Sequence, residues 1–283
     1  MNREDLLVKY GRPTPVLDHG HVTLIDCMGG DVAVVDMARK SYGKGTKATS
    51  DDQTLLRYLM RHYHTGPFEG CTIKLHVKCP IFVARQLFRH RTGSYDETSL
   101  RYSEAPDEYW LPDVVSTQSK DNKQGSGEPL DEAENQLARQ NMSEVYAFAD
   151  GVYRGLLKQD VSREVARAVL PVSLYTEYYF VMNLHNLLHL LFLRLHGHAQ
   201  KETREFAVVV ARILADWVPW TWQAFEDYRL NAMQLTGPEV RALMAALASS
   251  SLAVPDVLAQ FDPKNRRERD EFAAKLRQLG VTP

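Results

Sequence analysis

The stretch of chain best equipped for chemistry is Arg89–Tyr102, which reads RHRTGSYDETSLRY. It concentrates three arginines and one histidine beside two acidic residues, two serines and two tyrosines. Guanidinium groups bind phosphate oxygens in a bidentate way and stay charged at every working pH. Serine hydroxyls can donate to phosphate or base oxygens, and Glu97 can accept from a sugar hydroxyl. The segment therefore favours a small phosphorylated, hydroxylated ligand, while a solvated, salt-bridged loop explains the same composition.

The elements that must position these residues predict an α+β fold with few strands. Strands are expected at His21–Cys27, Thr72–Lys78 and Leu174–Met182, where β-branched, aromatic or strictly alternating residues dominate. Apolar stripes and capping residues predict helices through Leu55–Met60 and over Ile81–Phe88, 131–158, Ser162–Leu170, Asn183–Arg194 and His198–Trp217. Two tail helices are expected, one opened by the capping box Thr236–Glu239 and one by Asp262-Pro263 that ends near Gly280.

These elements predict one compact domain over residues 1–230 and a C-terminal helical extension over residues 231–283. The domain is expected to hold a small mixed or antiparallel sheet flanked by long helices. Residues 112–130 are polar and glycine-containing, and we interpret them as a mobile insertion.

Composition excludes several classes of protein. The formal net charge of −2 over 283 residues argues against a basic nucleic-acid coat. The longest apolar stretch, Phe180–Leu193, is interrupted by polar residues and too short to span a bilayer, and no signal peptide is expected. The number of cysteines is odd, three, and they form no CxxC motif, so a disulfide framework is not expected. Free cysteines are consistent with a reducing cytoplasm.

The order of residues in Arg89–Tyr102 resembles the signature of flavin-dependent thymidylate synthases, RHRxxSxNExSxRY. The matching residues are Arg89, His90, Arg91, Ser94, Glu97, Ser99, Arg101 and Tyr102. Asp96 departs from the usual asparagine. The likeness continues along about Leu24 to Tyr228. It includes an HxxPFE element from His64 to Glu69, an ARxxLP element from Ala166 to Pro171 followed by Leu174–Thr176, and Arg194 followed by His198–Gln200.

The resemblance implies a flavin-dependent thymidylate synthase that methylates dUMP to dTMP. It implies FAD as cofactor, NADPH and 5,10-methylenetetrahydrofolate as co-substrates, and hydride transfer from reduced flavin. The resemblance further implies that Arg194 lies against the uracil and favours its ionisation. A fixed cation stabilises a developing anion most in a dry site.

The resemblance also assigns binding residues. The implied dUMP residues are Gln86, Leu87, Phe88, Arg89, Glu97, Thr98, Ser99, Leu100, Arg101, Arg167 and Arg194. The implied FAD residues are Gly66, Arg89, His90, Arg91, Glu97, Asn183, Leu184, His185 and His189. Gly66 stands where the family often has a hydroxyl residue, and His64 is the candidate for the folate and nicotinamide side of the flavin.

Helical spacing predicts how these residues are shared between subunits. At about 100° per residue, His185 and His189 share one face of their helix, and Arg194 points nearly opposite. The two faces are therefore expected to serve different active sites, which agrees with the homotetramer that the resemblance implies.

The cysteines Cys27, Cys71 and Cys79 lie outside the candidate site segments, so no cysteine nucleophile is expected. Two other functions stay open. The i, i+4 pair His185 and His189, with His196 and His198 nearby, is compatible with a metalloenzyme. The arginines and tyrosines between Arg85 and Tyr102 are compatible with stacking on nucleic-acid bases, although the acidic residues among them argue against it.

Overall fold

The computed structural model describes residues 1–40, 51–120, 125–248, 252–261 and 266–281. Within them the chain forms the predicted α+β fold around a five-stranded sheet of order β1-β2-β3-β7-β4. The pairs β1–β2, β2–β3, β3–β7 and β4–β7 are all antiparallel. The strands are β1 (Thr14–Val16), β2 (Gly20–Met28), β3 (Thr72–Pro80), β4 (Ser94–Glu97), β5 (Ser116–Gln118), β6 (Ser126–Pro129) and β7 (Tyr175–Asn183).

Strict alternation sets the two faces of the sheet. Ile73, Leu75 and Val77 of β3 are buried on the inner face. The intervening positions face outward and carry polar residues such as His76 and Lys78, as period-two alternation requires. The three strands predicted from the sequence are β2, β3 and β7, so those predictions are confirmed.

Helices cover the inner face of the sheet. The helices are α1 (Arg3–Tyr10), α2 (Asp31–Lys40), α3 (Asp52–Arg61), α4 (Gly66–Glu69), α5 (Ile81–Leu87), α6 (Glu132–Lys158), α7 (Arg163–Ala166), α8 (Leu184–Arg194), α9 (Lys201–Trp217), α10 (Pro219–Phe225), α11 (Gly237–Ala248), α12 (Val254–Ala259) and α13 (Arg266–Gln278). A 3₁₀ turn, Arg167–Val169, extends α7, and a π-helical turn, Glu226–Leu230, extends α10.

The main core lies between the sheet and the helices α8 and α9. Leu187 and Leu191 of α8 are fully buried, as is Ile213 of α9. The predicted stripe of α9, which includes Phe206 and Trp217, is buried in the same cluster. Burying such apolar stripes is what stabilises helices of this length in a globular protein.

Local capping chemistry explains several helix starts. Asp51 accepts from the backbone N–H of Thr54 at 2.9 Å, and Asp131 accepts from that of Glu134 at 2.8 Å. Asn183 is the N-cap of α8, not its first residue, and accepts from the N–H of Asn186 at 2.9 Å. A side-chain oxygen at the N-cap satisfies an otherwise unpaired amide of the first turn.

Several details differ from the sequence-based expectation. Helix α9 begins at Lys201 instead of His198, because His196–Gln200 form a turn. The polar insertion contains the paired strands β5 and β6, for which no element was predicted. Helix α12 was not predicted, and Asp262-Pro263 lies outside the described residues. None of the described helices is long and apolar enough to cross a membrane.

The C-terminal segment is helical, as predicted, and contacts the domain through α13. Its own small core includes Val254, Leu258 and Leu276. Glu271 of α13 pairs with Arg61 at the end of α3, with 2.8 Å between Oε2 and Nε. The extension is therefore attached to the domain by ionic side chains as well as by the chain itself.

Candidate active site

The arginine-rich segment is pinned between α5 and the sheet. The Tyr95 hydroxyl lies 3.0 Å from the carbonyl oxygen of Leu87 and 2.9 Å from that of His90, within reach to donate to either. Gly93 sits so close to the core that a Cβ there would lie 2.8 Å from Met182. The buried part of the segment is therefore fixed. Its exposed part carries three arginines, Arg89, Arg91 and Arg101.

Arg194 and His90 meet at the end of α8. The Nε–H of Arg194 donates to Nε2 of His90 at 3.0 Å, and an Nη2–H donates to the Gln86 carbonyl oxygen at 3.3 Å. His90 is only 8% exposed. Burial, and then the nearby Arg194 and His189, lower the pKa of His90 to about 4. His90 is therefore neutral near pH 7, and because Nε2 accepts a hydrogen bond, the proton resides on Nδ1.

Gln86 completes this group, which we call the Arg194 cluster (Gln86, His90 and Arg194). The Gln86 side-chain oxygen accepts from the hydroxyl of the fully buried Thr203 at 3.1 Å, and its amide group donates to Gln200. Burial also lowers the pKa of the Arg194 guanidinium, which nevertheless stays charged at neutral pH. The cluster thus holds a half-buried cation in a fixed orientation at the edge of the core.

A polar cavity of about 910 Å³ lies on the other side of α5. Of the predicted nucleotide residues it is lined by Phe88, Glu97, Thr98, Leu100 and Arg167. The Thr176 hydroxyl donates to Glu97 at 2.7 Å, and the Arg167 Nε–H donates to the Glu164 carbonyl oxygen at 3.4 Å. Guanidinium, carboxylate and hydroxyl groups therefore converge on one opening, as recognition of a phosphorylated sugar requires.

A second cavity, of about 520 Å³, has aromatic and imidazole walls, and we call it the aromatic cavity. His64, His185 and His189 line it together with Tyr63 and Tyr228. Arg229 covers the Tyr63 ring with its guanidinium carbon 3.3 Å from the ring centroid. Burial lowers the pKa of His185 below its usual value. The cavity combines flat apolar walls with a few hydrogen-bonding edges, which suits a planar heteroaromatic ring.

His189 connects the aromatic cavity with the Arg194 cluster. Its ring centroid lies 6.4 Å from that of His90, edge to face. Sequence spacing predicted that His189 and Arg194 point away from each other, about 140° apart on the helix. The long arginine side chain nevertheless bonds to His90, whose ring also lies near His189. That the two faces serve different active sites stays a prediction.

The structure does not bring all predicted residues to one place. Neither cavity, as the described residues form it, is lined by Gln86, His90 or Arg194. Seven of the predicted dUMP residues are therefore divided between the Arg194 cluster (Gln86 and Arg194) and the polar cavity, and the others belong to neither. Leu87 and Leu184 are buried in the core, so their side chains are remote from both openings. The carboxamide oxygen of Asn183 is engaged in capping α8.

The remaining predicted residues lie at the surface near these sites. Ser99 accepts from the Arg101 backbone N–H at 3.4 Å, and Arg101 extends over the Tyr102 ring with 5.3 Å to its centroid. Asp96 is exposed on β4. Gly66 starts α4, and nothing lies within 4 Å of a Cβ built there, so the site tolerates the hydroxyl residue that the family often has.

Several lining residues were missed by sequence reasoning. In the polar cavity they include Lys78, and Arg85 was considered only for contact with nucleic acid. Lys78 is paired with Glu108 at 2.5 Å on the outer face of β3, a position that alternation alone identifies as solvent-facing. In the aromatic cavity they are Tyr63, Tyr228 and Arg229. No local motif marks these three, and only the packing of α3 against α10 places them together.

The cysteines are buried, and the histidines form no metal-binding group within the described residues. Cys27, Cys71 and Cys79 are free and buried, and burial raises the pKa of each thiol. A protonated, buried thiol is a poor nucleophile. Across the described ranges no group of three or more His, Cys, Asp or Glu side chains could hold a metal ion, so the metalloenzyme alternative gains no ligand set there.

Comparison with known proteins identifies the relatives of this chain. Residues 23–220 match the family model described as thymidylate synthase complementing protein. The flavin-dependent thymidylate synthase of Thermus thermophilus is 50% identical over 234 residues, which cover 82% of this chain and 85% of the relative. The flavin-dependent thymidylate synthase of Ruegeria pomeroyi is 45% identical over 247 residues, which cover 85% of this chain and 82% of the relative.

A solved structure is similar as well. The UMP/dUMP methylase PolB from Streptomyces cacaoi, bound with 5-Br dUMP, superposes with a TM-score of 0.69 at 31% identity. The match covers 77% of this chain and 99% of that one. The fold and the sequence therefore lead to the same group of proteins.

Proposed function

The chain belongs to the family of flavin-dependent thymidylate synthases, and from that premise we propose that it methylates dUMP to dTMP with FAD, NADPH and 5,10-methylenetetrahydrofolate. The observation that carries the proposal is the Arg194 cluster. A cation fixed by a neutral imidazole and a backbone carbonyl is what activation of a uracil ring needs.

Arg194 would act on the base by electrostatics. The bonds to His90 and Gln86 engage two of its five N–H donors, and within the described part of the chain the others have no protein acceptor. They can donate to a uracil oxygen and stabilise the negative charge that develops when N3 is deprotonated. Since the donor is already oriented and half-buried, little reorganisation is needed as the charge develops.

The rest of the nucleotide would be bound by the polar cavity and the exposed arginines. Arg167 and Arg101 are the proposed phosphate ligands, because guanidinium groups bind phosphate in a bidentate way. Glu97, held by Thr176, would accept from the sugar hydroxyl, and Ser99 would donate to the nucleotide. Thr98 and Leu100 would contribute backbone groups. The exposed loop at Arg89 would contribute backbone groups as well.

The aromatic cavity fits the flavin ring. Its donors are the imidazoles of His185 and His189, and its walls are apolar and aromatic. Gly66 leaves open space at the edge of α4, and Arg89 and Arg91 offer cations to the pyrophosphate. When bound, FAD supplies the reducing equivalents that convert the transferred methylene unit to a methyl group. His64 would face the folate and nicotinamide.

No cysteine takes part in the proposed reaction. The thiols of Cys71 and Cys79 are both fully buried, and the Cys79 thiol donates towards the Tyr178 hydroxyl at 3.9 Å. Neither lines the polar or the aromatic cavity as described. The same free thiols favour a cytoplasmic enzyme, because thiols stay reduced in that compartment.

We propose a homotetramer whose subunits share active sites. The nucleotide residues are divided between the Arg194 cluster and the polar cavity, so a second copy can complete each set. Helix α6 also exposes an apolar stripe of Leu137, Val145, Phe148 and Val152, with Phe148 74% exposed. Apolar stripes of this kind mark surfaces that another chain covers.

The decisive test is the reaction itself. Purified protein is expected to be yellow, with a flavin absorbance band, and to form dTMP from dUMP, methylenetetrahydrofolate and NADPH. Omission of any one substrate serves as the control. A colourless protein with bound zinc, or DNA binding that weakens steeply with salt, would contradict the proposal and favour one of the two other functions.

A further inference from the structure

We infer that Glu271 of α13 is a positioning residue for the reaction: it fixes the turn that carries His64 to the aromatic cavity. This inference rests on the proposed function, in which that cavity receives the flavin and the co-substrates. It assigns a role to the C-terminal helices, which lie beyond the residues that the family model matches.

Glu271 holds two consecutive residues at the end of α3. Its Oε2 lies 2.8 Å from Nε of Arg61, and its Oε1 lies 3.1 Å from Nε2 of His62. The side chains of Arg61 and Glu271 are only 10% and 24% exposed. Exposed ion pairs contribute little because water screens them, but this pair is largely shielded. Burial raises the pKa of Glu271, yet the hydrogen bonds from Arg61 and His62 outweigh it and hold that pKa below its usual range.

The turn that follows is strained. Tyr63 has a backbone φ of 60°, in the left-handed region that non-glycine residues rarely adopt. Such a conformation persists only where neighbouring contacts impose it. On its C-terminal side, the His64 N–H donates to the Leu59 carbonyl oxygen at 3.0 Å. On its N-terminal side, the contacts to Glu271 hold Arg61 and His62, so the strained residue is fixed from both directions.

The same helix contacts a second residue that lines the aromatic cavity. Glu268, one turn before Glu271, accepts from the Tyr228 hydroxyl at 2.8 Å. The Arg61 guanidinium carbon lies 5.5 Å from the Tyr228 ring centroid. Tyr228 and His64 both line the aromatic cavity. One face of α13 therefore holds Tyr228 directly and the turn before His64 through Arg61 and His62, by carboxylates that do not line the cavity as described.

Loss of the Glu271 charge should relax the turn and displace His64 without disturbing the nucleotide residues. Glu271→Gln keeps the size of the side chain but weakens its bonds to Arg61 and His62. We expect KM for NADPH and for methylenetetrahydrofolate to rise about tenfold. A tenfold change in affinity corresponds to the free energy of about one charge-assisted hydrogen bond. KM for dUMP should stay within about twofold, because among the described residues none of α13 lines the polar cavity or bonds to the Arg194 cluster.

A neighbouring residue supplies the matched control. Asp270 lies on the same helix and pairs with Arg266 at 3.9 Å, with both side chains mostly exposed. Asp270→Asn should leave all three KM values unchanged. His62→Ala, which alters a side chain outside the core, should reproduce part of the Glu271→Gln effect. Equal behaviour of Glu271→Gln and Asp270→Asn, or a uniform change of all three KM values, would overturn the inference.

A second readout does not depend on turnover. In the flavin-loaded full-length protein, the imidazole resonances of His62 and His64 can be assigned by His62→Gln and His64→Gln variants. Glu271→Gln should shift the His64 resonance, and Asp270→Asn should not. If the wild-type protein formed no dTMP, the proposed function would fail, while this measurement would still decide whether Glu271 positions His64.

Discussion

The guanidinium Nε–H of Arg194 donates to Nε2 of His90 at 3.0 Å, so a fixed cation and a neutral histidine act as one unit. The two residues are far apart in the chain, one in the arginine-rich segment and one at the end of α8. Each residue determines a property of the other, namely the protonation of His90 and the orientation of Arg194. Arg194 helps to keep His90 unprotonated, and the lone pair of His90 holds the guanidinium in place.

Arg194→Ala should lower kcat for dTMP formation by at least about 100-fold, the usual effect of removing one preorganised electrostatic donor. Flavin should remain bound, because Arg194 does not line the aromatic cavity as described. Steady-state kinetics together with flavin absorbance measure both. Arg212→Ala, at an exposed position of α9, is the control and should behave as wild type. Full activity in Arg194→Ala would refute the assigned role.

Stability should fall in mild acid because of His90. In the unfolded chain this histidine titrates near 6.5, whereas in the fold its pKa is about 4. Between these values the unfolded state binds more protons, so stability is fully present above pH 6.5 and is lost as pH falls towards 4. The loss should be about 2–3 kcal/mol. Urea unfolding at several pH values should show that the free energy of unfolding declines less steeply with falling pH in His90→Gln than in the wild type. Identical declines in the two proteins would contradict the lowered pKa of His90.

Arg167→Ala should raise KM for dUMP about tenfold or more, because a charge-assisted bond to phosphate is lost. KM for NADPH should not change, since Arg167 lines only the polar cavity of the two described. Arg163→Ala is the control in the adjoining helix α7, at an exposed residue that does not itself line the polar cavity as described. A dUMP KM that stays at the wild-type value in Arg167→Ala would remove this residue from the nucleotide site.

Cys71→Ala and Cys79→Ala should each retain turnover within about twofold while losing about 1–2 kcal/mol of stability, as small core truncations do. The physical reason is that both thiols are buried and have raised pKa values. Thermal unfolding and dTMP assays on the two variants test this. A variant that folds and binds flavin yet forms no dTMP would indicate that the cysteine is a nucleophile in the reaction.

Phe148→Glu should reduce the molecular mass measured by sedimentation, because it places a charge in the apolar stripe of α6. Ser143→Glu is the control, since Ser143 lies about 140° away around the same helix. It should leave the mass unchanged. If Phe148→Glu kept the wild-type mass and activity, α6 would not be an interface of the proposed tetramer.

Much of the fold could be predicted from the sequence because local patterns encode local structure. Strict alternation in β3 identified a strand with one buried face, and the apolar stripes after Asp51 and Asp131 predicted two helices that those residues cap. The order of residues from Arg89 to Tyr102 identified the family, a result that the relatives confirm. These inferences need only the residues within a few positions of one another.

Tertiary structure alone decided how the chemistry is arranged. No spacing in the chain indicates that Arg194 reaches His90, that Thr176 holds Glu97, or that Glu271 pairs with Arg61 and His62. The lowered pKa of His90 is likewise a product of burial and of a cation from a distant helix. Sequence by itself determined which groups the protein possesses and roughly where its main helices and strands lie. Which groups meet, and in what protonation state, depends on long-range packing, because burial and Coulomb energy follow distance in space and not position along the chain.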